Sequence, residues 1–181
     1  MRLRPFVASL LIAAAGLAAP SHETLVPLAD VSAERVQIAD LVAAAKFGTP
    51  SPIDDPAREQ AVLDAAAAKS VELGIDPEVS KLVFRDQIEA NKLVQRALFD
   101  RWTAHPEQAP THRPDLATEV RPKLDRITTQ LLEQLRDTRR VRANPACAGH
   151  LVVAYVRADL NRHLDNLHER ALRRALESVC P

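Results

Sequence analysis

The chain has 181 residues, and its 24 Lys and Arg residues balance 24 Asp and Glu residues, so the formal net charge is zero. This balance gives no electrostatic reason to expect a nucleic-acid partner, and the length fits one domain of ordinary size. Only four residues are Gly. Because glycine-rich phosphate loops, dinucleotide fingerprints and tight hairpins need Gly at fixed places, this scarcity argues against all three.

The first 19 residues have the pattern of a secretory signal peptide. A short start with two Arg precedes an apolar run from Phe6 to Ala15, and small residues continue through Ala19. The run is shorter than the roughly 20 apolar residues that a membrane-spanning helix needs. We therefore predict cleavage near Ala18 or Ala19, a secreted or periplasmic protein without stable membrane association, and one domain at 20–181. An uncleaved membrane anchor is the alternative.

Prolines divide the rest of the chain into segments rich in strong helix formers. An Asp-Pro pair opens two of these segments, since Asp caps a helix and Pro suits its first turn, and Gly74 suits a helix end. No segment alternates with period two, so we predict an all-α helical bundle of about six helices. The predicted helices run from about Leu28 to Lys46, Asp55 to Leu73, Asp76 to Ala104 and Asp115 to Val141, with two more between Cys147 and Val179.

Cys147 and Cys180 are the only cysteines, and two thiols in an exported protein usually pair. One continuous helix between them would hold them about 50 Å apart, whereas a disulfide needs Cα atoms within about 7 Å. We therefore predict a chain reversal between Ala158 and Asp165, which gives a C-terminal helical hairpin closed by the disulfide. Two buried free cysteines are the alternative.

Three sets of polar residues recur at helical spacing and are candidates for a site. Arg35 and Lys46 are eleven positions apart, which returns to within about 20° of the same helix face. Each set could instead be a solvated surface, because such pairs are common on exposed helices. The other two sets are Asp55, Arg58 and Glu59, and Gln87, Asn91 and Gln95.

A longer pattern contains these sets in order. It comprises residues 33–35, 39–46, 52–55, 58–59 and 86–95, followed by Trp102, residues 114–116, Arg121, residues 162–165 and the two cysteines. This pattern resembles the all-helical chorismate mutases, and their secreted monofunctional subclass in particular. The resemblance implies an isomerase that converts chorismate to prephenate by a Claisen rearrangement, without a metal or a cofactor, and it makes a homodimer plausible.

The resemblance also implies which residues act. Chorismate is a flexible dianion that must be held in a compact shape while charge develops on its breaking ether oxygen. Lys46 and Gln95 correspond to the two donors to that oxygen. Some relatives carry Glu at the second position, which donates only when protonated, so Gln95 predicts no loss of activity from this source as pH rises.

The remaining candidates would bind the substrate. By correspondence Arg35 and Arg121 hold the two carboxylates, and Asn91 assists with its amide. Asp55 and Glu59 would orient the substrate hydroxyl, with Arg58 alongside.

Two other functions fit the same sequence. Isochorismate pyruvate lyases share the bundle and a similar cationic pocket, and a secreted helical bundle can also be a non-catalytic interaction module. Trp102 is expected to be a core anchor. His163 and His168 are five positions apart, a poor spacing for two ligands on one helix face, so we predict no metal site there.

Overall fold

The computed structural model describes residues 24–181, which lie in helices and short connections. No strand occurs in this range, so the predicted all-α bundle is confirmed. The predicted signal peptide at residues 1–19 lies outside the described residues. The helices are α1 (Val26–Lys46), α2 (Pro56–Glu72), α3 (Pro77–Ala104), α4 (Arg121–Asp137), α5 (Arg139–Arg142), α6 (Cys147–Arg162) and α7 (Asn166–Ala175).

The helix starts follow the local chemistry predicted for them. The Asp55 carboxylate accepts a hydrogen bond from the backbone N–H of Arg58 at 3.0 Å, and Pro56 occupies the first turn of α2, where its missing N–H costs no bond. Asp76 caps α3 in the same way. Gly74 follows the end of α2 with φ of +68°, a left-handed conformation that Gly adopts without strain.

The fourth predicted helix is divided. Asp115 caps a single π turn at Leu116–Val120, and α4 begins only at Arg121. Pro122 lies in the first turn of α4, the one place where its missing N–H is tolerated. The helix ends before Thr138, whose hydroxyl and backbone N–H both donate to the Gln134 carbonyl, at 2.6 Å and 3.0 Å. The short helix α5 begins one residue later, at Arg139.

Helix α1 is the centre of the bundle and packs against α3, α4, α6 and α7. Its buried residues point in nearly every direction, as expected for a helix surrounded by others. Most of them are small or aliphatic. The two polar exceptions are Ser32, whose hydroxyl donates to the Leu28 carbonyl, and Arg35, whose environment defines the site described below.

The C-terminal hairpin is confirmed. Cys147 and Cys180 form a disulfide with their Cα atoms 5.8 Å apart, and loop closure of this length contributes about 3–4 kcal/mol in the chain-entropy model. The reversal occurs within the predicted segment, where α6 ends at Arg162. His163 adopts the left-handed conformation there with φ of 51°, and Asp165 caps α7.

Candidate active site

A cavity of about 270 Å³, called here the first cavity, lies among the C-terminal half of α1, the start of α2, the middle of α3 and the start of α4. Every residue that the sequence singled out for substrate binding lines it. Four helices thus bring these side chains together, although the residues are up to 86 positions apart in sequence. They are Arg35, Lys46, Asp55, Arg58, Glu59, Asn91, Gln95 and Arg121.

Arg35 is the most buried cation of this cavity, with 6% of its surface exposed. Its Nε and Nη1 atoms have no hydrogen-bond partner. Burial lowers the pKa of Arg35 to about 10, although Asp125 acts in the opposite direction, so the guanidinium stays charged at neutral pH. A buried charge with free donors is costly, and an anion in the cavity would compensate it.

Lys46 is the last residue of α1 and is half-buried. Its Nζ donates to the carbonyl of Pro52 at 2.8 Å, which leaves two of its three N–H groups for a ligand. Burial lowers its pKa, and the nearby carboxylates, Asp55 first among them, act against that shift. The spacing argument for Arg35 and Lys46 therefore holds: both line one cavity.

The two amides on α3 form a pair. Gln95 is buried, and its Nε2 donates to Oδ1 of Asn91 at 2.7 Å. Its Oε1 has no partner. Each amide nitrogen carries two hydrogens, so this bond leaves one N–H on Gln95 and both on Asn91 for a ligand.

Lys92 is a cavity residue that the sequence reasoning missed. It is 8% exposed, and its Nζ lies 3.2 Å from Glu59, 2.7 Å from Glu89 and 3.3 Å from Asp54. Burial acts to lower the pKa of Lys92, but its bonds to these three carboxylates outweigh that effect and raise it. The sequence signal for this buried contact was the spacing of three positions between Glu89 and Lys92, but the same spacing is typical of exposed helices.

Arg121 and two further residues of α4 close the cavity on another side. Arg121 is exposed at the first position of α4. Asp125 and Thr128 lie four and seven positions later and also line the cavity. Sequence reasoning found Arg121 alone, although the spacing places all three on one helix face.

The charges of the lining residues do not balance. Five are cationic and three, Asp55, Glu59 and Asp125, are anionic, which leaves a surplus of two positive charges. Aliphatic side chains, among them Val42 and Ile88, form the rest of the wall. The cavity is therefore suited to a small molecule with two negative charges and an apolar ring or chain.

Two other residues that the sequence singled out, Gln87 and Trp102, lie outside this cavity. Gln87 is buried, and its Nε2 donates to Ser32 and to the carbonyl of Ala175, each at 3.1 Å. It therefore joins three helices rather than facing a ligand. Trp102 packs against Phe47 with ring centroids 5.2 Å apart, in agreement with its expected role as an anchor.

Comparisons with known proteins identify the family. Residues 28–96 match the family described as chorismate mutase type II. A protein from Mycolicibacterium smegmatis named secreted chorismate mutase is 37% identical over 176 residues, which cover 94% of this chain and 96% of that protein. The chain belongs to the chorismate mutase family. A secreted chorismate mutase from Mycobacterium tuberculosis is 35% identical over 156 residues, 86% of this chain and 78% of that protein.

A solved structure of a chorismate mutase from Burkholderia phymatum has the same fold. Its TM-score is 0.82 at 35% identity, and the match covers 87% of this chain and 96% of that one. The secreted mycobacterial relatives agree with the predicted export of this chorismate mutase. Within the described residues, the helices lack the length and apolar character needed to cross a membrane.

Proposed function

We propose that this chain converts chorismate to prephenate in the first cavity. Relatives that are 35–37% identical over most of the chain are named chorismate mutases. The observation that carries the assignment is the buried Arg35, which lines a cavity with a surplus of two positive charges and whose Nε and Nη1 have no hydrogen-bond partner in the protein. Chorismate carries two carboxylates, and its charge matches that surplus.

The reaction places few demands on the protein. One ether C–O bond breaks and one C–C bond forms within the same molecule, so no proton, electron or leaving group is exchanged with the enzyme. The protein must hold the two reacting ends together and stabilise the negative charge that grows on the ether oxygen. Rigid helices that carry donors on several sides of a cavity meet both demands.

Arg35 and Arg121 are suited to bind the two carboxylates. Arg35 is buried and Arg121 is exposed at the edge of the cavity. One guanidinium group would therefore bind the substrate from inside the cavity and the other from its edge. The planar fork of Arg fits a carboxylate with two parallel hydrogen bonds. The free amide hydrogens of Asn91 would add a further donor.

Lys46 and Gln95 are suited to donate to the ether oxygen. Lys46 is on α1 and Gln95 is on α3, and each keeps at least one free N–H after its bond to protein. Donors that are already in place when charge develops contribute about 10²–10³-fold each to the rate. Because Gln95 is neutral, its donation does not depend on pH.

Asp55 and Glu59 are suited to orient the substrate hydroxyl, with Arg58 beside them on α2. The orientation of Glu59 is restrained by protein contacts. Its Oε1 bonds to Lys92 and its Oε2 bonds to Arg85, each at 3.2 Å. A carboxylate fixed at both oxygens retains a further lone pair on each for the substrate.

The decisive experiment supplies the purified mature protein with chorismate and with isochorismate in separate assays and identifies the products. We expect prephenate from chorismate. Release of pyruvate from isochorismate with no prephenate would instead support the lyase, and no turnover of either substrate would support a binding module. Light scattering would show whether the chain forms the homodimer that the resemblance makes plausible. The described residues of one chain suffice to line the first cavity.

A further inference from the structure

A second cavity, of about 370 Å³, lies between the α2–α3 connection with the start of α3 on one side and the end of α4 with α5 on the other. Along α4, Arg121 lines the first cavity and Leu135 lines the second. These residues are 14 positions apart, about 21 Å along a helix. The two cavities are therefore separate, although α3 and α4 contribute to both.

The second cavity has one cationic wall. Arg136, Arg139 and Arg142 line it, and Asp76 is its only acidic residue among those described. The Asp76 carboxylate accepts from the backbone N–H of Glu78 at the start of α3. Arg136 pairs with its neighbour Asp137 at 2.8 Å, so the excess positive charge is concentrated on Arg139 and Arg142.

Arg142 is the buried member of this wall, with 8% of its surface exposed. Its Nη2 donates to the Leu135 carbonyl at 3.1 Å, but its Nε is buried without a partner. Burial lowers the pKa of Arg142, and no acidic residue in the described part of the chain opposes that shift. The buried guanidinium therefore lacks the compensating negative charge that such a group normally has.

Another part of the wall is aliphatic. Leu73, Ile75 and Leu135 contribute to it, and Ile75 and Leu135 are buried. A ligand that fits this cavity would place a negatively charged group on the arginines and an apolar body on these side chains. A fully polar anion would leave the aliphatic wall unused, and a neutral apolar molecule would leave Arg142 uncompensated.

We propose that the second cavity binds a small organic carboxylate. The carboxylate pairs with Arg139 and Arg142, and the apolar body contacts Leu73, Ile75 and Leu135. Arg142 also binds a carbonyl near the C-terminal end of α4, a position where cations stabilise a helix. That structural role accounts for its Nη2, but it does not account for the unpartnered Nε or for the other two arginines around the cavity.

The test uses NMR titration of the ¹⁵N-labelled protein with benzoate, because the first cavity is also cationic and a bulk binding assay would not separate the sites. Amide shifts at Ile75 and Arg139 report the second cavity, and those at Lys46 report the first. We expect saturable shifts at Ile75 and Arg139 with a dissociation constant of about 1 mM. Acetate should bind there at least about 10-fold more weakly, since it lacks the apolar body. Benzyl alcohol, which lacks the charge, should cause no saturable shift.

Two variants assign the binding to the arginines. Arg139→Ala removes an exposed side chain and should weaken benzoate binding at Ile75 by about 10-fold without changing the shifts at Lys46. Lys123→Ala, which removes an exposed cation near the start of α4, is the matched control and should change neither the benzoate binding at Ile75 nor the shifts at Lys46. Arg142→Gln should abolish the shifts at Ile75, with its folding checked by circular dichroism.

Three results would overturn the proposal. The first is benzoate shifts confined to the residues around Lys46. The second is unchanged binding at Ile75 in Arg139→Ala, a result that stands even if Arg142→Gln does not fold. The third is acetate binding as tight as that of benzoate, which would mean that the aliphatic wall does not contact the ligand.

Discussion

Arg35 and Arg142 are both more than nine-tenths buried, both line a cavity, and burial lowers the pKa of each. They differ in their surroundings. Carboxylates, amides and other cations from four helices surround the cavity at Arg35, whereas the cavity at Arg142 combines cations with aliphatic side chains. A buried arginine by itself provides affinity for an anion. Catalysis also requires donors placed where charge grows in the transition state, a role that we propose for Lys46 and Gln95 in the first cavity.

The substitution with the largest predicted effect tests this difference between the two cavities. Lys46→Ala should lower kcat/KM for chorismate by about 10³-fold, because it removes a charged donor to the ether oxygen. Arg139→Ala in the second cavity should leave kcat/KM unchanged. Circular dichroism should show the same helix content in both variants. A Lys46→Ala enzyme with more than about a tenth of the activity would contradict the assigned role.

The next prediction concerns the second donor. Gln95→Glu should lose about 10²-fold in kcat between pH 6 and pH 9, because a carboxyl group donates to the ether oxygen only while it is protonated. The wild type, whose amide does not titrate, should show no such loss. The measurement is a pair of pH–rate profiles on the two proteins. Equal alkaline loss in both would mean that another group limits activity at high pH.

The sequence predicted those features that depend on neighbouring residues or on family resemblance. Asp55 and Asp76 begin their helices through bonds to N–H groups two or three positions away, so short-range chemistry determines them. The disulfide followed from export and from the count of two cysteines. The residues of the first cavity came from the resemblance, since each set also fitted an exposed helix face.

The features that were missed depend on packing between distant segments. From the sequence alone, Lys92 is expected to be a solvated lysine. Its contact with Glu59, 33 positions away in sequence, forms only because α2 packs against α3. Arg142 likewise belongs to a short basic run that resembles exposed chain. Its burial results from the way α5 folds back against the end of α4. No local pattern distinguishes a buried cation from an exposed one before the helices are packed.

A third prediction separates the stability of the first cavity from its chemistry. His168 on α7 bonds to Asp165 at 2.7 Å and to Asp40 on α1 at 3.0 Å, between the positions of Arg35 and Lys46. The bond to Asp40, followed by that to Asp165, raises the pKa of His168 to about 9, against the opposing effect of burial. Since the folded pKa exceeds the unfolded value of 6.5, this stabilisation is complete below pH 6.5 and is lost as pH rises towards 9.

His168→Gln should therefore reduce the free energy of unfolding by about 2 kcal/mol at pH 6, a value that allows for solvent screening at the half-exposed Asp40. The difference from the wild type should shrink by pH 9. Urea denaturation at several pH values measures it. A difference that is constant with pH would show that packing, rather than the charged contacts, accounts for the effect. Because His168 does not line the cavity, kcat of the folded enzyme should change little.

The smallest predicted effect is on the restraint of Glu59. Lys92→Met keeps much of the side-chain volume but removes the ammonium, so Glu59 would retain only its bond to Arg85. We expect kcat to fall by about 10-fold, or about 1.4 kcal/mol, with a smaller change in KM, because a mobile carboxylate positions the substrate less well in the transition state. Lys92→Arg should restore most of kcat, since it can pair with the same carboxylates.

The split between kcat and KM shows which role Lys92 has. If it served only to stabilise the fold, Lys92→Met would lower the free energy of unfolding and leave kcat per folded molecule unchanged. If its charge served only to attract the substrate, KM would rise at constant kcat. A fall in kcat that Lys92→Arg reverses would show that Lys92 acts through Glu59. The activity of the first cavity would then depend in part on Glu59, which the buried Lys92 holds in place, and the second cavity has no such pair among its described residues.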